Sequence, residues 1–325
     1  MRVFPLIPSV VVALLLAGCA APMSRGNGAA PTPAPAGSAS SRATALRDLV
    51  GEYDNHAQRG DGAPPASGFA PPPLHQWLRP THAADALLWR LQQSSGSAAS
   101  EGRWLLREEG AALVPYRPLN AAANAAFDDK GASYRFQAAD WAPLGACALQ
   151  RRGSGFDYRV DAAACSALLP GLGAAAALLP QRLSLVGDTL TLATVSDSAR
   201  GADAVTVSHR VRWFAGWDAL NGAGPRATPE NSDWHLRRDL RLHSEGGRIP
   251  LRWRDGSESG YSLELARLNY RESNTEVLRL AVIEDVSGRT LSYAWANPEA
   301  TRIGLNLGWL QVGLDQDSGQ ASGGP

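Results

Sequence analysis

A two-residue alternation of apolar and polar side chains recurs along this chain and constrains its fold more than any other feature. One face of residues 205–213 is apolar apart from His209, and the opposite face is polar. That alternation is typical of a strand with one face packed on a core. Helical patterning is confined to short stretches at 43–50 and 168–179. The sequence therefore predicts an all-β fold built mostly from antiparallel strands.

Turn signals and changes in composition divide these strands into two regions. Gly187-Asp188 separates two alternating runs and predicts a tight hairpin. We expect a calycin-like or lipocalin-like antiparallel barrel at 44–220, a linker at 221–230, and a smaller β domain or sheet extension at 231–316. Further strands are predicted at 234–243, 248–254, 261–270, 276–285, 290–296 and 302–314. Residues 317–325 are predicted to be a disordered tail.

The first 19 residues carry an export signal. Arg2 precedes a short apolar run that ends in Leu16-Ala17-Gly18-Cys19. The run is shorter than the roughly 20 residues of a membrane-spanning helix, and its layout is that of a secretory signal. Its end resembles the lipobox of bacterial lipoproteins, which implies that residues 1–18 are removed and that Cys19 carries a lipid. The alternative is a cleaved signal with an incidental cysteine.

Composition adds the expected location and excludes some partners. Ala20 after the lipobox, in place of Asp, favours an outer-membrane lipoprotein that faces the periplasm. Residues 19–43 are rich in Ala, Gly, Ser and Pro and predict a flexible tether. The 31 basic and 31 acidic residues leave no formal net charge to attract nucleic acid. We therefore expect the protein to contact the membrane through the lipid on Cys19. The six histidines show no metal-ligand spacing, so no metal site is predicted.

The two cysteines beyond the export signal form a natural pair. Cys147 and Cys165 remain once Cys19 is assigned to the lipid. Because an exported chain meets oxidising conditions, we expect a disulfide between them. A catalytic or chromophore-carrying thiol is the alternative.

Residues 46–58 read Leu-Arg-Asp-Leu-Val-Gly-Glu-Tyr-Asp-Asn-His-Ala-Gln, a short amphipathic turn followed by a strand. This segment resembles the opening motif of the CpcT/CpeT family of chromophore lyases. Weaker similarities follow in the family's order at 92–107, 144–165 and 196–217. The resemblance implies a ten-stranded lipocalin-like barrel, often paired as a homodimer. It also implies that the barrel binds an open-chain tetrapyrrole (a bilin) and attaches it to a cysteine of a phycobiliprotein.

Side-chain chemistry indicates which residues could hold such a ligand. Arginine binds propionates bidentately, a carboxylate accepts hydrogen bonds from pyrrole N–H groups, and aromatic rings stack on a flat molecule. The candidate ligand-binding residues are Tyr53, Asp54, Asn55, Gln58, Arg79, Arg103 and Arg107. Trp89 is a further stacking candidate and His56 a proton-transfer candidate. Core packing, strand capping and surface exposure stay open as structural roles for these residues, and His209 is read as a core histidine.

The residues themselves show no catalytic constellation, so lyase activity is implied by the resemblance alone. No cofactor is required, and a bilin would be a ligand. The leading hypothesis is a CpcT/CpeT-type envelope lipoprotein whose barrel binds a bilin-like or other flat hydrophobic ligand. Two alternatives remain open. One is a non-enzymatic lipoprotein that binds another envelope component, and the other is a lipocalin-like carrier of lipid or another small apolar molecule.

Overall fold

The structure is a computed structural model that describes residues 46–59, 71–95, 98–128, 133–201, 204–270 and 275–317. The predicted signal, the lipidation site Cys19, the tether and almost all of the tail lie outside these residues. All described residues belong to one compact unit, Ser38–Pro325.

Most of the described chain is β-structure. The strands are β1 (Gly51–Asp54), β2 (Leu74–Pro80), β3 (Ala86–Ser95), β4 (Ala98–Glu109), β5 (Ala112–Pro118), β6 (Trp141–Pro143), β7 (Leu149–Arg151), β8 (Phe156–Val160), β9 (Pro180–Val186), β10 (Thr189–Thr194), β11 (Thr206–Arg210), β12 (Trp213–Asn221), β13 (Trp234–His243), β14 (Glu245–Arg252), β15 (Glu258–Tyr270), β16 (Thr275–Glu284), β17 (Arg289–Ala296), β18 (Arg302–Asn306) and β19 (Leu310–Gln316).

The helices are short. They are α1 (His56–Arg59), α2 (Ala121–Ala125), α3 (Ala162–Ser166) and α4 (Val195–Ser198), with 3-10 helices at Ala138–Asp140, Gly145–Cys147, Leu169–Leu178 and Gly224–Arg226. Residues 46–48 add a helical turn before β1. The Ala/Leu-rich stretch at 168–179 is bent at Gly173, whose φ of 56° lies in the left-handed region that favours glycine.

Ten strands close into an antiparallel barrel in the order β1-β2-β3-β4-β5-β7-β8-β9-β10-β11, and β6 extends from β5 outside the closed ring. The barrel closes where β11 pairs with β1, although these strands are far apart in sequence. The predicted hairpin at Gly187 is confirmed, because β9 and β10 pair on either side of it. The all-β barrel expected from the sequence is therefore present.

The inward face of β11 is its polar face. Thr206 and Ser208 are fully buried in the barrel, whereas Val207 and His209 on the other face are only partly buried. Ser208 is satisfied there because its Oγ accepts a hydrogen bond of 3.0 Å from Gln76. Trp89 in turn donates to the Gln76 side chain over 3.3 Å. The alternation predicted the strand but not which of its faces turns inward, and His209 does not lie in the barrel core.

The C-terminal region consists of two four-stranded sheets, β13-β12-β19-β18 and β14-β15-β16-β17. Leucine-rich faces of both sheets share one buried core, so the two sheets form a sandwich. β12 pairs with β13 and β19, and not with the barrel. The boundary between the regions thus falls after Arg210 and not at 220, because the run at 205–213 is broken between β11 and β12.

The predicted strand at 302–314 is two strands, β18 and β19, that form a hairpin. Gly308 has a φ of 77°, and its N–H donates to the Asn306 side chain over 3.1 Å. An Asn side chain that bonds the backbone two residues ahead favours a turn. This turn interrupts a pattern that otherwise reads as one continuous strand.

The disulfide predicted from the cysteine count is confirmed. Cys147 and Cys165 are joined, with their Cα atoms 4.5 Å apart. Both are buried in the barrel core. The bond ties α3, and with it the stretch that follows to residue 179, to the turn before β7.

Candidate functional site

The interior of the barrel is filled by its own side chains. Tyr53, Trp89 and Trp104 are buried to within 1% of full burial and pack among leucines from nearly every barrel strand. Interiors packed in this way leave little space for a ligand. A binding site must therefore be sought at the ends or on the outside of the barrel.

A helical turn and an arginine close the end of the barrel where β1 begins. Leu46 and Leu49 are buried in the core, and the Arg210 guanidinium lies 4.9 Å from the centre of the Tyr53 ring. Arg210 also donates to the carbonyl oxygens of Val50 and Asp48, the latter over 2.7 Å. Burial raises the pKa of Tyr53 to about 12, although Arg210 opposes this shift. Tyr53 is thus a core residue that this arginine covers.

Gly51 is required by this closure. Its φ is 153°, and a side chain at this position would collide with the Arg210 guanidinium. The Gly-x-aromatic motif of the sequence therefore serves the barrel end: the glycine admits the arginine, and the aromatic ring supports it.

A cleft of about 670 Å³ opens at this same end. Its wall combines three guanidinium groups with carboxylates and apolar side chains, from Arg47, Asp48, Val50, Arg151, Ser154, Gly155, Phe156, Leu185, Gly187, Asp188 and Arg210. Arg210 is held by Asp188 at 2.8 Å. Arg151 donates to the carbonyls of Ser154 and Gly155, which fixes its position in the wall. We call this space the arginine cleft.

A second, smaller cleft of about 370 Å³ lies near the opposite end of the barrel. Leu178 and Leu179 plug that end, and Trp104 donates to the Leu178 carbonyl over 3.3 Å. The cleft is bounded by Glu101, Arg103, Trp104, Arg117, Pro118, Asn124, Leu172 and Ala175. The disulfide joins Cys165, in the helix that precedes this plug in sequence, to Cys147.

Two of the predicted ligand-binding residues fix the backbone. Asn55 is fully buried, accepts from the Leu74 N–H over 2.8 Å and donates to the Pro72 carbonyl over 2.9 Å. Gln58 accepts from the Val207 N–H over 2.8 Å and donates to the Val205 carbonyl over 3.0 Å. Their amides replace missing strand partners at the end of β1, which accounts for the dense polar set in the sequence.

The three candidate arginines lie on the outer wall of the barrel and not around one ligand space with Asp54. Arg79 donates to the Asp128 carbonyl over 3.2 Å, and Arg103 donates to the Asn124 carbonyl over 3.3 Å and pairs with Glu101 at 2.8 Å. Arg107 pairs with Asp85 at 3.1 Å. The structure therefore brings Arg79 and Arg103 to the same segment, the end of α2 and the residues just after it, and places Arg107 elsewhere.

Asp54 is part of a clamped histidine on the outer face of β1 and β2. His75 Nδ1 lies 2.7 Å from Asp54 and its Nε2 lies 2.6 Å from Glu52. Burial disfavours the imidazolium, but the hydrogen bonds to both carboxylates outweigh this and raise the pKa of His75 to about 9. Burial would raise the pKa of Glu52, but His75 and the Trp213 indole lower it. With both ring nitrogens engaged and a positive charge at neutral pH, His75 cannot serve as a general base.

This clamp joins the barrel to the sandwich. Trp213 donates from its indole to Glu52 over 2.8 Å, and the His243 ring lies 5.2 Å from Trp213 and 5.8 Å from His75. The Arg241 guanidinium lies 4.4 Å from the centre of the Trp213 ring. These contacts between rings and cations cross from one region to the other.

Further charged and polar side chains meet at this junction. Burial raises the pKa of Glu245 to about 8, against the opposing charge of Arg267 at 3.3 Å. Ser244 accepts from the Arg212 N–H and donates to Glu245. Burial, together with the charge of His75, lowers the pKa of His243. His56 packs on the backbone at Gly246. These contacts hold the barrel and the sandwich together at the junction.

Within the described ranges, no group of three or more His, Cys, Asp or Glu side chains is arranged to hold a metal ion. Across those same ranges, no helix has the length and apolarity to cross a bilayer. A scan against protein-family models finds no match, and searches of curated proteins and of solved structures find none either.

The fold and its clefts define a class of protein. The closed ten-stranded antiparallel barrel with a packed interior and a cleft at each end is an all-β, calycin-like architecture, extended by a sandwich. The sequence missed Arg47, Arg151 and Arg210 as possible site residues, because only barrel closure brings these distant positions together. Arg210 lies opposite the Gly51-x-Tyr53 motif only once β11 has paired with β1, so no local pattern marks it.

Proposed function

We propose that this chain is an exported, lipid-tethered binding protein that holds a flat, carboxylate-bearing ligand in the arginine cleft. A linear tetrapyrrole is the ligand class that this proposal takes from the sequence resemblance. Cys19 would carry the lipid, with the barrel and sandwich facing the periplasm. The proposal concerns binding, and no catalytic step is assigned to the cleft.

The observation that carries the proposal is the composition and size of the arginine cleft. Its volume of about 670 Å³ lies within the roughly 300–1,000 Å³ of small-molecule sites. Arg47 and Arg151 offer guanidinium groups to two carboxylates, while Phe156 and Leu185 offer an apolar wall. The guanidinium groups and apolar side chains expected near Asp54 are thus present in the arginine cleft, where Arg47, Arg151, Phe156 and Leu185 supply them.

The alternative of a carrier with its ligand inside the barrel has less support. The core residues that would line such a cavity are close-packed, and Gln76 among them is bonded to Ser208 and Trp89. The alternative of binding another envelope component stays the second candidate, because Tyr293 and Trp295 are exposed on the sandwich.

The test is a visible-absorbance titration of the purified protein with biliverdin. We expect a saturable, red-shifted band. An Arg47→Ala, Arg151→Ala double variant should weaken binding at least tenfold, since a lost charge-assisted hydrogen bond costs about 1.5–3 kcal/mol. Asp54→Ala should leave the affinity unchanged.

Arg302→Ala is the matched control, because Arg302 is an exposed arginine of the sandwich, far in sequence from the cleft residues. A flat titration with folded protein would refute tetrapyrrole binding. If Asp54→Ala loses the band and the double arginine variant keeps it, the binding site lies at the clamped histidine and not in the arginine cleft.

A further inference from the structure

The junction between the barrel and the sandwich encloses the carboxyl group of Glu245, whose side chain is fully buried. Glu245 begins β14, directly after Ser244, the residue that links the two sheets of the sandwich. Its Oε1 accepts from the Ser244 hydroxyl over 3.2 Å, whereas its Oε2 has no hydrogen-bond partner among the described residues. An ionised carboxylate here would lack the hydrogen bonds that replace lost hydration.

One guanidinium group faces Glu245 and two further carboxylates. Arg267 on β15 is almost fully buried, and its Nε lies 3.3 Å from Glu245 Oε1 without forming a hydrogen bond to any described residue. Its other two nitrogens each lie 3.9 Å from a carboxylate oxygen, one of Glu276 and one of Glu299. Glu276 is 41% and Glu299 69% exposed, so water stabilises their charges. Of the three carboxyl groups that share Arg267, only Glu245 is cut off from water.

The same place holds the connection from the barrel to the sandwich. The Ser244 N–H donates to the Arg212 carbonyl over 2.9 Å, and the Arg212 N–H donates to the Ser244 hydroxyl over 3.1 Å. The Arg267 N–H donates to the Ser244 carbonyl over 2.6 Å. The guanidinium of Arg212 donates to backbone carbonyls of the loop before β18, and not to Glu245. Ser244 therefore ties the connection to both sheets, and its hydroxyl is also the partner of Glu245.

Further titratable groups reach the junction from the neighbouring elements, and they are Asp54, His56, His75, His209 and His243. Burial lowers the pKa of His243 and of His209, so neither ring is a cation at neutral pH. Asp54 adds a negative charge that favours the neutral form of Glu245. Burial is the largest influence, and it raises the pKa of Glu245 to about 8 although Arg267 opposes the shift.

We propose that Glu245 is a proton switch for this junction, which is closed while the carboxyl group is neutral and loosens when it ionises. In the closed state the proton spares the buried carboxyl group a charge that it cannot solvate. When the proton leaves to solvent, the new charge needs water at Oε2, and the hydrogen bonds around Ser244 must open to admit it. The inference does not depend on the arginine cleft.

The direction of the pH effect follows from linkage. The ordinary pKa of a glutamate is 4.5, and that of Glu245 in the folded protein is about 8. The folded state therefore holds this proton more tightly than the unfolded state does. The stabilisation is complete below pH 4.5 and is lost as the pH rises through 8. The switch thus loosens the junction on the alkaline side.

The first test detects the proton itself by infrared spectroscopy of the purified protein. At pH 7 we expect the C=O stretching band of a neutral carboxyl group that is absent from Glu245→Gln, with a midpoint of disappearance near pH 8 in the native protein. Glu258→Gln is the matched control, because Glu258 is an exposed glutamate of the same sheet. It should keep the band.

The second test measures hydrogen exchange at the amides of Ser244 and Arg267. Their protection, corrected for the intrinsic pH dependence of exchange, should fall at least tenfold between about pH 6 and pH 9.5 in the native protein. Glu245→Gln, which stays neutral, should keep its protection throughout, and so should the β16 amides of the native protein. His75→Gln should show the native loss, although His75 also gives up a proton in the alkaline range.

Four results would overturn the proposal. One is an unchanged infrared spectrum in Glu245→Gln at pH 7, and another is an equal loss of protection in that variant and in the native protein. A third is abolition of the loss by His75→Gln, which would assign the switch to the clamped histidine. Ser244→Ala keeps the proposal testable if Glu245→Gln does not fold. Because the Ser244 hydroxyl lowers the pKa of Glu245, its removal should move the midpoint to higher pH, and an unchanged or lower midpoint is the fourth contrary result.

Discussion

The barrel and the sandwich differ in where they place their tryptophans and tyrosines, although both enclose some aromatic rings, such as Phe214 in the sandwich. In the barrel, Trp89 and Trp104 are completely enclosed and make the core. In the sandwich, leucines dominate the core, and Tyr293 and Trp295 project outward. Both placements arise from the same two-residue alternation. The direction in which a strand turns its aromatic face therefore decides whether the ring is enclosed in a core or presented to solvent.

The largest effect expected from this comparison concerns two tryptophans. Trp89→Ala should lower the free energy of unfolding by about 3–5 kcal/mol, because it leaves a cavity in the barrel and removes the donor to the Gln76 side-chain oxygen. Trp295→Ala should cost about 1 kcal/mol or less, since half of its ring is already exposed. Urea unfolding followed by circular dichroism measures both values. Equal losses would contradict the contrast between the two regions.

Removal of the disulfide should affect the barrel more than the sandwich. Its cost in free energy of unfolding should be somewhat smaller than that of Trp89→Ala. Replacing Cys147 and Cys165 by Ser opens a loop with a sequence separation of 18, which costs about 3 kcal/mol in the chain-entropy model. Hydrogen exchange should accelerate in the barrel, most of all at residues 162–179, which the bond anchors. The amides of β16 in the sandwich should keep their protection. Uniform acceleration in both regions would show that they unfold as one cooperative unit.

The sequence predicted strands better than it predicted their grouping. The β9–β10 hairpin and the sandwich strand at 276–285 follow from alternation and turn residues, which act locally. The break between β11 and β12 did not follow, because a strand that leaves one sheet for another keeps its alternation. The period alone also could not show that the polar face of β11 turns inward, where Gln76 satisfies Ser208.

The candidate site was predictable only where its parts are neighbours in sequence. Gly51 and Tyr53 indicated how the barrel begins, and Asn55 and Gln58 marked a polar strand end, although their amides bond the backbone. The partner of Tyr53 is Arg210, more than 150 residues away. Barrel closure brings them together, and one sequence contains no record of that pairing.

The junction provides the smallest effect and the sharpest test, because it belongs to both regions. The folded pKa of His75 is about 9, above the ordinary value of 6.5. Its contribution to stability is therefore complete below pH 6.5 and is lost as the pH rises through 9. After allowance for partial exposure, the loss is on the order of 2 kcal/mol. His75→Gln should remove this part of the pH dependence, so that native and variant proteins differ most near pH 6 and converge near pH 9.5.

His82→Gln is the control for this titration, since His82 is an exposed histidine of the barrel. Its unfolding free energy should follow the native profile at every pH, as measured by urea denaturation. If His75→Gln also follows that profile, the clamp between Asp54 and Glu52 does not hold a proton in the folded state. If only the His75 variant loses the slope and the sandwich then unfolds at lower urea than the barrel, the clamp is what couples the two regions.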